Sequence, residues 1–99
     1  MIYDLMIAYH GNWDDLKELL EHDPYIAPTH LDPIHKTGRG AGGHCLIKDF
    51  AALREFYEHI YPDDIGLNFL RAAEAKNIDL LKKSNKDIDL LKGVYGSNI

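Results

Sequence analysis

Apolar and polar residues recur along this chain with the period of an α-helix over most of its length. Ile2, Leu5, Met6 and Tyr9 fall at i, i+3, i+4 and i+7, one face of a first helix that Gly11 should end. Asn12 reads as the N-cap of a second helix, with Asp14 and Asp15 in its first turn, where carboxylates complement the helix dipole. Trp13, Leu16, Leu19 and Leu20 share one side of it, and Asp23-Pro24 stops it. Phe50, Leu53, Phe56, Tyr57 and Ile60 make a third helical face, ending at Tyr61-Pro62. Asp63 and Asp64 open a long fourth helix on Ile65, Phe69, Ala73 and Leu80, its stripe widened by Leu70, Ile78 and Leu81. Ser84-Asn85 breaks that helix, and Ser84-x-x-Asp87 has the form of a capping box for a last short helix, which Gly93 should stop. No stretch alternates convincingly with period two. The pattern predicts one all-α domain over residues 1–99, small and built of about five helices.

Between the second and third helices the periodicity dissolves. Pro24, Pro28 and Pro33 interrupt it and a glycine cluster closes it. Long irregular stretches are uncommon in compact domains and are usually functional or disordered. Interspersed Tyr25, Ile26, Leu31 and Ile34 favour order, so the expectation is an ordered Pro/Gly-rich loop that wraps over something. The chain opens at once on a helical face, as a cut through a longer polypeptide would, or a short natural gene.

Composition narrows the class. Of the 99 residues, 45% are hydrophobic, which argues against disorder, and 27% are charged, which argues against a membrane protein. A formal charge of -5 offers no basic stripe to neutralise phosphates, so nucleic acid is not an expected partner. No apolar run reaches the roughly 20 residues that span a bilayer. The single cysteine fits a reducing cytosol better than a disulfide scaffold, and a cytoplasmic location is expected.

That cysteine, Cys45, is where the candidate chemistry gathers. Gly38, Gly40, Gly42 and Gly43 precede it, with His44 between, and Lys48 and Asp49 follow. Glycines let a backbone approach a ligand closely, and a thiol beside an ammonium and a helix start is a candidate nucleophile. A tight turn with a half-buried thiol accounts for the same residues. Asp49 can cap a helix beginning at Phe50, or position a water, or hold Lys48. Gly38, Gly40 and Gly43 also satisfy G-x-G-x-x-G, but Thr29-His30-Leu31-Asp32-Pro33 before them is no core strand, so a dinucleotide fold within the chain is not expected. His30, His35, His44 and Cys45 lack the spacing of a zinc site, and no metal is expected.

Gly42-Gly43-His44-Cys45-Leu46-Ile47-Lys48-Asp49 resembles the catalytic-cysteine loop of the UDP-glucose/GDP-mannose dehydrogenase family, a Gly-Gly-x-Cys-x-x-Lys-Asp pattern. Asp23-Pro24-Tyr25-Ile26 with Thr29-His30 is similar to the Asp-x-Arg-Ile-Gly segment and trailing His before that loop. Ile2-Tyr3-Asp4-Leu5 is similar to the second half of the family's long central helix. Tyr25 stands where the family has Arg, and Ile47 where it usually has Pro.

The resemblance implies a nucleotide-sugar 6-dehydrogenase that oxidises a sugar C6 alcohol to a carboxylate with NAD. Cys45 would attack the intermediate aldehyde and carry the acyl group as a thioester, which water releases. Asp49 would assist water activation, and Lys48 would bind phosphate, of the cofactor included, or stabilise the loop. Gly40, Gly42, Gly43 and His44 would line the nucleotide-sugar site. This chain would be the central helical domain, forming the homodimer interface, without the flanking nucleotide-binding domains; alone it would neither bind NAD nor turn over. A different class fits the same residues: a non-catalytic helical binding or assembly module that keeps the loop as a relic.

Overall fold

The computed structural model describes residues 1–61 and 63–99. It is mostly helical, with five helices among the described residues: α1 (Ile2–Ala8), α2 (Trp13–Glu21), α3 (Gly43–Ile60), α4 (Asp64–Lys83) and α5 (Ile88–Tyr95). Two strands of two residues each, β1 (Ile34–His35) and β2 (Gly38–Arg39), pair antiparallel with Ile34 opposite Arg39 and His35 opposite Gly38. The all-α expectation holds in outline; the one departure is this small hairpin, which Lys36 turns in the left-handed region at φ 58°. The chain divides into two compact units, Met1–Pro33 and Ile34–Ile99.

In the first unit, α1 and α2 are joined by a left-handed His10 and by the Gly11 N–H, which donates to the Met6 carbonyl at 2.7 Å. Asn12 caps α2 as its position predicts, its Oδ1 accepting from the Asp14 N–H at 2.9 Å and the Asp15 N–H at 3.4 Å. The stretch after α2 folds back on that helix. The Trp13 indole donates to the Leu31 carbonyl at 2.9 Å while its ring meets Tyr3 edge-on, and Lys17 pairs with Asp32 at 2.7 Å. Neither helix has a fully buried residue, and Ile2, Leu5, Tyr9 and Leu19 remain exposed.

In the second unit the core is Ile47 of α3, Leu81 of α4 and Leu91 of α5, with Ile78, Ile88, Leu90, Tyr95 and Ile99 packed around it. Asp63 caps α4 through the Ile65 and Gly66 N–H groups and takes the Tyr57 hydroxyl at 2.9 Å. Glu74, buried on α4, accepts from Arg54 of α3 at 3.1 Å and from the Tyr95 hydroxyl of α5 at 2.7 Å, so one carboxylate links three helices. Arg54 also reaches Glu58, which pairs with Arg71 at 2.7 Å.

Three expectations are corrected here, and the inward side of α3 is settled. Helix α3 begins at Gly43 rather than Phe50, and Asp49 therefore lies inside it and caps nothing. Its inward residues are Ile47 and Ala51, whereas Leu53, Phe56 and Ile60 face solvent. Ser84 and Asp87 form no capping box, since Asp87 makes no side-chain cap bond to α5. Helix α5 runs through Gly93 and stops at Gly96, which takes the positive φ (98°) of a helix end. Helix α3 ends at Ile60 with Tyr61 as its C-cap; the predicted stop at Pro62 lies outside the described residues.

Candidate functional site

The early start of α3 turns the linear cysteine pattern into a helix face. Cys45 is the third residue of the helix, and Lys48 and Asp49 follow at i+3 and i+4, the spacing that brings side chains together on one side. All three are exposed, as are His44 and Leu46. The Lys48 ammonium and the Asp49 carboxylate stand 3.9 Å apart, two-thirds exposed each, a weak pair in open solvent. Ile47, between Cys45 and Lys48 in sequence, points the other way into the core. The face borders an apolar stripe: Leu46, Leu53, Phe56 and Ile60 follow at spacings of seven, three and four, and Phe56 is 64% exposed.

The glycine segment before the helix is pinned from behind rather than open. The Arg39 N–H donates to Ser84 Oγ at 2.8 Å, and the Ala41 N–H to Asn77 Oδ1 at 2.7 Å, while Asn77 Nδ2 returns a bond to the Ala41 carbonyl at 2.9 Å. The Gly43 N–H donates to Asp87 Oδ2 at 2.7 Å. Lys86, only 6% exposed, donates its ammonium to the carbonyls of Gly40 at 2.9 Å and Gly38 at 3.3 Å. The glycines follow from this closeness. A Cβ on Gly38 would stand 2.5 Å from Ser84 Oγ, one on Gly42 would collide with the Asp87 carboxylate, and Gly40 combines φ +101° with a 2.7 Å approach to Leu81.

Gly40, Gly42 and Gly43 thus meet α4 and the α4–α5 corner on one side, while the chain delivers His44 and Cys45 to solvent on the other. Asn77, Ser84, Lys86 and Asp87 were not predicted as site residues. Ser84-x-x-Asp87 stood out in the sequence, but its local spacing suggested a cap for α5, and nothing near Asn77 or Lys86 in sequence marks a partner some 36 to 48 positions away.

The three glycines do not form a dinucleotide fingerprint: Gly38 lies on the hairpin strand, Gly40 just after it and Gly43 at the start of α3, among the described residues no strand–helix–strand unit surrounds them, and the Gly43 N–H is committed to Asp87. No three His, Cys, Asp or Glu side chains converge for a metal ion among the described residues. No helix there is long and apolar enough to cross a membrane. A shallow concavity lined by Ala75, Ile78, Asp79, Lys82 and Lys83 does not include the Cys45 face.

Compared with known protein families, curated proteins and solved structures, the chain matches none.

Proposed function

We propose that this chain supplies the nucleophile segment of a cytoplasmic nucleotide-sugar 6-dehydrogenase, with Cys45 as the attacking thiol. The observation that carries the reading is the exposed thiol in the first turn of α3, with Lys48 and Asp49 on the same side and a pinned glycine strand leading into it. A helix start exposes N–H groups that favour an anion nearby. A thiolate there adds to an aldehyde carbon, forming the S–C bond while the carbonyl oxygen takes a proton. On this reading Asp49 accepts a proton from water, Lys48 holds a phosphate, and the outer edge of Gly40, Gly42, Gly43 and His44 borders the sugar. In such an enzyme NAD would supply the hydride acceptor.

The test is alkylation of Cys45 by iodoacetamide at neutral pH, with and without UDP-glucose, UDP-N-acetylglucosamine or GDP-mannose. The reading expects faster reaction in the folded chain than in the unfolded one, and slowing by a nucleotide sugar but not by the free sugar. Equal rates throughout reject it. The chain alone is expected to reduce no NAD.

One observation favours a second reading, a non-catalytic assembly module. Leu53, Phe56 and Ile60 of α3 and Ile65 and Phe69 of α4 leave large side chains in water, Ile65 83% exposed, and contiguous exposed apolar surface marks interaction sites. A homodimer through this helical surface belongs to both readings. What separates them is the thiol: an assembly module needs no reactive Cys45.

A further inference from the structure

Helix α3 has no cap of its own. Its N-cap residue is Gly42, which offers no side-chain acceptor, yet the helix's first N–H, that of Gly43, is bound by the carboxylate of Asp87. Asp87 is the N-cap residue of α5, and its carboxylate caps α3 instead of its own helix. The corner that aims it is built at some conformational cost, since Asn85 and Asp87 both occupy the left-handed region at φ 49° and 53°. Its neighbour Lys86 is buried with its ammonium on the Gly38 and Gly40 carbonyls, and Ser84 takes the Arg39 N–H. The four consecutive residues of the α4–α5 corner therefore contribute three side chains to the glycine segment, and the last of them binds the turn that carries Cys45.

We propose that Asp87 is a positioning residue for Cys45: its carboxylate caps α3 from the α4–α5 corner and fixes the helix turn that presents the thiol. The proposal rests on the reading of Cys45 as a nucleophile for its functional meaning, and its geometry can be tested apart from that reading. The absence of a side chain at Gly42 follows from it, because the space a side chain would fill is occupied by the Asp87 carboxylate. At φ -105° Gly42 has a backbone that other residues can adopt. It is glycine because the cap arrives from elsewhere.

That exchange of roles supplies the test. Asp87→Ala removes the cap, Asp87→Asn keeps an acceptor oxygen, and Asp87→Ala combined with Gly42→Ser moves a cap into the vacated space. Amide hydrogen exchange is read at Gly43, whose N–H the carboxylate holds, and at Ile47, the first amide able to bond within the helix, each relative to Leu81 in the core. Cys45 alkylation is measured alongside. In Asp87→Ala, exchange at Gly43 and Ile47 should rise about tenfold over Leu81, the scale of a lost N-cap, and the alkylation rate should move towards that of the unfolded chain. Asp87→Asn and the double variant should restore both. Uniformly faster exchange that includes Leu81, or no rescue by either variant, overturns the proposal. If the wild-type thiol reacts at the unfolded rate, the nucleophile reading fails by itself, and the exchange ratio still decides whether Asp87 fixes the turn.

Discussion

The buried ammonium of Lys86 donates to the carbonyl of Gly40 at 2.9 Å, holding by a side chain from the α4–α5 corner a backbone segment that lies 46 positions earlier. Ammonium-to-carbonyl bonds are charge-assisted and stronger than neutral ones, and here they satisfy two carbonyls of a segment with few partners of its own.

Lys86→Met keeps the length of the side chain and removes the donor, leaving the Gly38 and Gly40 carbonyls without it. The expected loss is about 1–3 kcal/mol, the cost of stranding buried polar groups, read as a lower urea midpoint at unchanged slope. Gly40→Ala should destabilise as well, since φ +101° and the Leu81 side chain both oppose a Cβ. An unchanged midpoint in both variants would mean that the segment is not held in this way.

What was legible in the sequence was mostly local. Asn12 and Asp63 sit directly before helical runs and cap them, because a short polar side chain reaches N–H groups two or three residues on. The start of α3 was not legible. Gly42 and Gly43 read as loop on propensity, and the acceptor that stabilises a helix there comes from Asp87, 44 positions away. Periodicity located the apolar face of α3 on Phe50, Leu53, Phe56, Tyr57 and Ile60 without saying whether it turns inward, and Leu53, Phe56 and Ile60 are exposed. A helix apolar on more than one side does not reveal which side turns inward, and here the small Ala51 and Ile47 do. Gly93 failed as a stop because Tyr95 beyond it is anchored to Glu74, which offsets the modest cost of one glycine. The residues of the Cys45 face were all visible; what places them on one face was not.

Stability should fall at alkaline pH through Tyr95. Burial, and then the hydrogen bond to Glu74, raise its phenol well above the ordinary value. A folded-state value above the unfolded one means the native chain holds the proton more tightly. Its contribution is thus complete below about pH 10 and is lost as pH rises above that, by at most about 1.4 kcal/mol per pH unit. Tyr95→Phe should flatten this slope in urea melts between neutral and strongly alkaline pH. It should not remove it entirely, since Tyr57, hydrogen-bonded to Asp63, is raised as well. An identical slope in Tyr95→Phe would contradict the assignment.

Asp49 offers a sharp contrast with the role its sequence position suggested. Lying exposed within α3 and capping no helix, it should tolerate Asp49→Ala with a stability change within about 0.5 kcal/mol. The same variant should alter chemistry at the Cys45 face, and Lys48→Ala should slow iodoacetamide alkylation by withdrawing a nearby positive charge. A destabilisation as large as that of a lost cap would restore Asp49 to a structural role. Alkylation of Lys48→Ala at the wild-type rate would remove Lys48 from the site.

The exposed stripe on α3 is the surface through which the proposed dimer would form. Leu46, Leu53, Phe56 and Ile60 repeat at seven, three and four, the spacing of a helical seam that packs against another helix. A partner burying them would contribute on the order of 1.5–3 kcal/mol for each fully covered large side chain, while in a lone chain they stay in water. The chain is therefore expected to sediment as a dimer at high micromolar concentration. Phe56→Glu puts a charge at the middle of the stripe, where an interface would have to desolvate it without a partner, and should shift the species to monomer. Because Phe56 is 64% exposed in the single chain, the same substitution should leave the melt of the monomer nearly unchanged. A wild-type chain that stays monomeric at that concentration would reject the dimer, and a Phe56→Glu chain that still dimerises would place the interface elsewhere.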